Sequence, residues 1–287
     1  MRPRAQAGGP RPGGLRQQVP QVAVPLAARS WLVLSAAALI GLLAFTWPLL
    51  VDPTSIIGQD RSGSSIAPVI MGGVLLLVGA LVLVELAGSE VRTSTLAMLG
   101  VLAAIGSIVR PLGAGTGGFE TVFFLLVLGG RALGAGFGFM LGALTIFSSA
   151  LITAGVGVWM PYQMIGAGFV GLGAGLLPRT RRPGGRAEIA LLSVYGFGSS
   201  FLYGYLMDLA FWPFVFGTGT QVGFDAGIGP WENLQRFVVV NTATSLGWNL
   251  VRAVTCVVAV VLLGPGLLRV LRKASRQAVV VVAGVRE

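Results

Sequence analysis

Side chains able to bind a small solute stand out in this sequence, because isolated polar groups in long apolar segments are costly to bury. Aromatic rings offer stacking surfaces, amides and carboxylates offer directed hydrogen bonds, and arginine offers a planar fork for an anionic group. The candidate binding residues are Arg110, Glu120, Trp159, Tyr162, Gln163, Tyr205, Asp208 and Asn241. Their mixture predicts a site for a planar molecule that carries heteroatoms.

The residues needed for common catalytic and metal chemistry are missing. The sequence contains no histidine and a single cysteine, Cys256. Histidine bases, Ser-His-Asp triads, HExxH zinc sites, paired-cysteine metal sites and an intrachain disulfide are therefore excluded. The acidic residues are scattered, and the glycine-rich run 110–120, RPLGAGTGGFE, lacks the GxxxxGK[ST] phosphate-binding pattern. We expect no enzymatic activity, no metal and no cofactor.

Helical spacing brings several polar residues onto common faces. Tyr205, Asp208 and Trp212 are three and four residues apart, and Asn241, Ser245, Trp248 and Asn249 form a second stripe. Such faces are too polar for lipid and must meet protein, water or ligand. Ligand binding and hydrogen bonding between helices are equally compatible with Asp208 and Asn241. For Trp212 and Trp231, an interfacial aromatic belt is the simpler interpretation.

The charged residues within apolar segments need partners. Arg110 and Glu120 either pair across the glycine-rich run, or Arg110 receives an anionic group of a solute. Arg252 lies deeper in the last apolar segment, where Glu85 is its candidate partner. A structural ion pair is favoured there over a proton relay.

The elements that carry these residues are membrane spans. The 287 residues are 54% hydrophobic and only 10% charged, with a mean hydropathy of +0.84, which is typical of an integral membrane protein. We predict an all-α fold of about eight transmembrane helices. The predicted spans are 31–51, 66–88, 94–112, 119–133, 136–155, 160–178, 187–212 and 237–263. The segment 119–133 is short, so we expect it to cross only if the membrane thins or neighbouring helices shelter it.

The positive charges predict the orientation. The net charge is +10, and most of the 20 Lys and Arg residues fall in alternate segments that include 1–29, 179–186 and 264–287. The positive-inside rule then places both termini in the cytoplasm of a cell that carries this chain in its plasma membrane. The charge is explained by topology rather than by nucleic acid, and 1–29 is predicted to be a disordered basic arm, not a signal peptide.

Small residues spaced by four on the third predicted span favour close approach of another helix. Gly100 and Ala104 form one such pair, and Ala103 and Ser107 form a parallel one.

From residue 93 onward the order of these features resembles the substrate-binding S component of energy-coupling factor (ECF) vitamin transporters. The resemblance rests on AMLGVLAAIGS, RPLGAGTGGFE, GGRALGAGFGFMLGALT and WMPYQMIGAGFVGLGAGLLPR followed by a basic turn and two final helices. It implies a six-helix core at 93–264, preceded by two additional helices at 30–92 and followed by a basic cytoplasmic tail at 265–287.

The resemblance also implies a function. The chain would capture a vitamin or vitamin precursor from outside and deliver it through a membrane coupling subunit driven by two ATPase subunits. Gly100, Ala103, Ala104 and Ser107 would contact the coupling subunit, and the eight candidate binding residues would form the pocket. Cobalamin, thiamine precursors and riboflavin all remain possible ligands. The alternative is an ion-coupled secondary transporter of a small organic solute.

Overall fold

The protein is a bundle of α-helices in the part of the chain that the structure describes, residues 28–54, 93–113 and 117–283 of a computed structural model. A short 3₁₀-helix, Arg110–Gly113, follows the second helix, and the described residues contain no strand beyond an isolated bridge between Thr218 and Phe224. The helices are α1 Ala28–Leu50, α2 Thr93–Val109, α3 Phe123–Leu133, α4 Ala135–Ile152, α5 Met160–Leu176, α6 Arg186–Phe216 and α7 Pro230–Ala283.

Four of the described helical segments are long and apolar enough to cross a membrane: Thr95–Gly113, Ala135–Ile152, Arg186–Phe216 and Pro230–Ser275. These helices support the prediction of a membrane-embedded all-α protein. The predicted number of eight helices is not confirmed, because seven are described. The predicted span 66–88 and most of the predicted arm 1–29 lie outside the described residues.

Helix α3 is too short to span a bilayer, and its surroundings explain how it is tolerated. It has 11 residues, about 16 Å of helix against roughly 30 Å of hydrocarbon. Leu126, Val127 and Leu128 are completely buried, so other helices rather than lipid surround it. Gly134, at φ +106°, is the single residue between α3 and α4.

Helices α4 and α5 pack backbone against backbone. A Cβ at Gly138 would overlap the carbonyl of Gly171, and a Cβ at Gly142 would overlap that of Ala167. Glycine at these positions allows the two helices to approach more closely than side chains would permit.

The first helix belongs to the same core as the later ones. Phe45 of α1 is 2% exposed, and its ring lies edge-on to Tyr162 with centroids 5.8 Å apart. The Trp47 indole N–H donates to the carbonyl of Ala210 in α6 at 2.9 Å. The boundary predicted between 30–92 and 93–264 is therefore not a packing boundary for α1.

The last two helices are the longest, with 31 residues in α6 and 54 in α7. At 1.5 Å per residue α7 measures about 80 Å, well beyond the thickness of a bilayer. It continues through the predicted start of the tail at 265, and Leu268 and Leu271 belong to the buried core. The charged residues between 265 and 283 thus lie on a helix that is anchored in the bundle.

Two polar clusters mark opposite ends of α6. Glu188 lies in its first turn, and Asp208 follows about 20 residues later, roughly 30 Å along the helix axis. We call these ends of the bundle the Glu188 end and the Asp208 end. Their separation is close to the hydrocarbon thickness of a membrane.

Candidate solute-binding site

At the Asp208 end, α6 and α7 are joined by a carboxylate and two amides. The Asn241 side-chain amide donates to Asp208 Oδ2 at 2.7 Å, and the Asn249 amide approaches the same oxygen at 3.4 Å. Asn241 is 4% exposed and Asn249 is 2% exposed. The two asparagines lie two helical turns apart, so the stripe predicted on α7 does face the stripe predicted on α6.

The same network continues through an arginine to the glycine-rich loop. Arg252 Nη1 donates to Asn249 Oδ1 at 2.6 Å, and Nη2 donates to Glu120 Oε1 at 3.1 Å. Arg252 Nε lies 3.0 Å from the other Glu120 oxygen, and the guanidinium carbon lies 5.6 Å from the centre of the Tyr203 ring. We call Asp208, Asn241, Asn249, Arg252 and Glu120 the polar network.

This pairing settles one of the open alternatives. Glu120 pairs with Arg252 and not with Arg110. Glu85, the expected partner of Arg252, lies outside the described residues. The reason is the path of the loop. Gly118 has φ +92°, and a Cβ there would lie 2.6 Å from the Trp248 carbonyl oxygen, so the loop backbone rests directly on α7 and brings Glu120 to Arg252.

Arg110 meets only neutral acceptors among the described residues. Its Nη2 donates to Gln163 Oε1 at 3.0 Å, and its Nη1 lies 3.3 Å from Ser149 Oγ. Both partners are neutral, so no acid among the described residues forms an ion pair with this half-buried arginine. Arg110 and Gln163 are two predicted binding residues that the structure brings into direct contact, and the first is available to an anionic group.

The predicted aromatic residues divide into packing residues and one exposed ring. Tyr162 packs edge-on against Phe211, and Tyr205 packs edge-on against Phe237. Both rings therefore have structural contacts. Trp159 is 46% exposed, and its carbonyl accepts the backbone N–H of Gln163 at 3.0 Å, which places it beside the Arg110 partner.

The two tryptophans expected in an interfacial belt differ. Trp231 is 64% exposed, as such a belt requires. Trp212 is 1% exposed and donates its indole N–H to the Val222 carbonyl at 2.9 Å, so the belt interpretation is wrong for this residue. It instead anchors the loop between α6 and α7 to the core, with its ring 5.5 Å from that of Phe237.

The predicted small-residue face of α2 is split in two. Gly100 and Ala104 are exposed, and a Cβ at Gly100 would meet nothing within 4 Å. Ala103 is 5% exposed, and Ser107 is fully buried with its hydroxyl donating to the Ala103 carbonyl at 2.7 Å. Because these two face α4, they do not provide a surface for a partner, and that part of the prediction is wrong.

The predicted set omits the strongest charge cluster in the described residues. Glu188 is 1% exposed and accepts hydrogen bonds from Arg131 Nε at 2.7 Å, Arg272 Nη2 at 2.8 Å and the Gly184 N–H at 2.6 Å. It joins α3, α6, α7 and the loop before α6. One sequence feature could have identified Glu188. It is an acidic residue in the first turn of a helix, directly after the basic run 179–186.

The Asp208 end presents two carboxylates, two amides and one guanidinium that hydrogen-bond to one another. The predicted set also omits Arg252 and Asn249, which connect its members Asp208, Asn241 and Glu120. No group of three His, Cys, Asp or Glu residues in the described part of the chain is placed to hold a metal ion. The arrangement offers charged and amide hydrogen-bonding groups beside aromatic rings, which suits recognition of a small polar molecule.

Comparison with protein-family models, with curated proteins and with solved structures finds no significant match to this chain.

Proposed function

We propose that this chain is the membrane-embedded substrate-capture subunit of an ECF-type importer. It binds a vitamin or vitamin precursor at the Asp208 end, which faces outward from a plasma membrane with both chain termini in the cytoplasm. A coupling subunit and two ATPase subunits supply the transport step. The exposed basic residues Arg179, Arg181, Arg182 and Arg186 near the Glu188 end support this orientation.

The observation that carries the proposal is Arg110, half-buried with a neutral amide and a hydroxyl as its hydrogen-bond partners. A guanidinium in a largely apolar bundle is costly unless an anion compensates it, and the acids described nearby are otherwise engaged. Glu120 is paired with Arg252, and Asp208 holds Asn241. A ligand carboxylate or phosphate at Arg110 completes the charge balance.

The exposed half of the small-residue face of α2 supports the proposed contact with a coupling subunit. Gly100 and Ala104 are one helical turn apart on a surface with Val101 and Ile105, which are 59% and 45% exposed. Small residues beside aliphatic ones allow another membrane helix to approach closely. The coupling subunit is the partner that the ECF resemblance implies for this face.

Asp208 favours the second candidate, an ion-coupled secondary transporter. Its Oδ1 accepts no hydrogen bond from the described residues, while Oδ2 accepts from two amides. A carboxylate so placed within a span is suited to exchanging a proton or a cation. On this alternative the chain transports alone.

Uptake of the solute into proteoliposomes distinguishes the capture subunit from the secondary transporter. The full chain is reconstituted alone, or with coupling and ATPase subunits, and given either ATP or a proton gradient. We expect uptake only with the partners and ATP. Uptake by the chain alone under a proton gradient contradicts the proposal and favours the secondary transporter.

The coupling face has a matched test in the same assay. Gly100→Leu should abolish ATP-driven uptake without changing ligand affinity, because its side chain enters open space on the predicted contact face. Gly247→Leu is the control, since this α7 glycine is also exposed and open. Equal uptake by both variants would refute the assigned face.

A further inference from the structure

A cavity of about 330 Å³ lies between α1, α5 and α6, away from the polar network. Its walls include Phe45, Phe169, Val194, Leu202, Tyr203 and Leu206. This volume is at the small end of the range for ligand pockets, about 300–1,000 Å³. We call it the lateral cavity.

A missing side chain explains why the cavity exists. Val194, Gly198, Leu202 and Leu206 follow one another at intervals of four on α6, so they form one stripe along the helix. Gly198 leaves a gap in the middle of that stripe, and a Cβ there would meet nothing within 4 Å. Across the cavity, Gly166 of α5 lets the Tyr203 ring pack against the helix, since a Cβ there would lie 2.8 Å from that ring.

The cavity is open on a side that no described residue covers. Val194 is 75% exposed and Leu202 is 53% exposed, and both belong to the segment of α6 that is apolar and long enough to span a membrane. Among the described residues, therefore, nothing separates this rim from the hydrocarbon of a bilayer. A molecule dissolved in the membrane can enter the cavity from this side.

The lining selects an apolar occupant. The Tyr195 hydroxyl donates to the Val170 carbonyl at 2.8 Å, and the Ser199 hydroxyl donates to the Gly196 carbonyl of the same helix at 3.5 Å. The remaining surface is almost entirely carbon. A water-soluble ligand would leave its polar groups unpaired there, whereas a hydrocarbon chain would not.

We propose that the lateral cavity binds a single hydrocarbon chain taken from the bilayer, either the acyl chain of a phospholipid or the tail of a free amphiphile. Tyr203 separates this chain from the polar network, since its ring lines the cavity and also lies under Arg252 at 5.6 Å. The site is independent of the transport function proposed above.

Photolabelling of the full chain in lipid nanodiscs tests the site. The probes are palmitic acid and phosphatidylcholine that each carry a diazirine on the acyl chain, and labelled residues are mapped by mass spectrometry. We expect saturable labelling around Gly198 by at least one probe. Competition by unlabelled palmitate identifies a free amphiphile, and its absence identifies a phospholipid chain.

Filling the gap in the stripe provides the decisive variant. Gly198→Leu should reduce the labelling at least about tenfold, because each displaced methylene is worth roughly a fourfold change in affinity. Gly198→Ala should give a smaller reduction and serves if the leucine variant fails to fold. Gly247→Leu should label as the parent chain does, since it alters a glycine outside the cavity.

The proposal is overturned by labelling that does not saturate and spreads over lipid-facing positions such as Val254 and Val258. It is also overturned if a folded Gly198→Leu variant labels as strongly as Gly247→Leu.

Discussion

Ion pairs in this protein contribute differently to folding stability according to how deeply they are buried. Glu188 is 1% exposed and holds two arginines, whereas Asp225 is 40% exposed and holds Arg236 at 3.3 Å. Removing a buried acid leaves its cations desolvated and unpaired, but removing an exposed acid leaves its cation in water. The two ion pairs should therefore differ strongly in their importance for folding.

Glu188→Gln should lower the free energy of unfolding by about 3 kcal/mol or more, since Arg131 is left 7% exposed without its counter-ion. Asp225→Asn is the matched control and should cost less than about 1 kcal/mol. Thermal unfolding of both variants in one detergent measures the difference. Equal losses of stability would show that the Glu188 cluster does not hold the helices together.

Residue types were easier to predict from the sequence than residue partners. The set Arg110, Gln163, Asp208 and Asn241 follows from the rarity of polar groups in apolar segments, and the contacts Arg110–Gln163 and Asp208–Asn241 link its members. The partner of Arg252 could not be found in this way. It depends on where a glycine-rich loop lies, and helical periodicity does not specify that position.

At the scale of elements, the loop before α3 controls the polar network because it delivers Glu120 to α7. Thr121 Oγ1 donates to the Val109 carbonyl at 2.7 Å and fixes one side of the loop to α2. Gly118 fixes the other side by resting on the Trp248 backbone. Its neighbour Gly117 also has a positive φ, of +61°, but a Cβ there would meet nothing within 4 Å.

Gly118→Ala should therefore destabilise the loop more than Gly117→Ala does. Both substitutions cost about 1 kcal/mol of backbone strain at positive φ, and only the former adds a clash with Trp248. Hydrogen exchange of residues 117–122 should rise clearly in Gly118→Ala and little in Gly117→Ala. The same exchange rates in both variants would mean that contact with α7 does not order the loop.

Element lengths also explain where the sequence-based expectations were incomplete. The length of the segment 119–133 indicated a helix that needs a thinner membrane or shelter from its neighbours, but the sequence does not specify which helices surround α3. Similarly, it gave no sign that Phe45 of α1 packs on Tyr162, because such contacts depend on tertiary packing.

At the scale of the whole molecule, the proposed orientation can be measured because the chain has a single cysteine. Cys256 is 1% exposed and should give little background labelling. In intact cells, a membrane-impermeant maleimide should label Gln221→Cys in the loop before α7 but not Arg182→Cys in the loop before α6. Both positions are exposed, so each should react after permeabilisation. Labelling of Arg182→Cys in intact cells would reverse the proposed orientation.

The central claim is that the Asp208 end binds a small solute through Arg110, and a thermal-shift screen of the purified full chain against vitamins and their precursors tests it most directly. A ligand present at 100 times its Kd should stabilise the folded chain by about 2.7 kcal/mol. Arg110→Gln should weaken that ligand about tenfold or more through loss of a charge-assisted hydrogen bond. Arg236→Gln, which alters a partly exposed pair away from Arg110, should not. Absence of any stabilising ligand for the folded chain, or a ligand bound equally by both variants, would contradict the account.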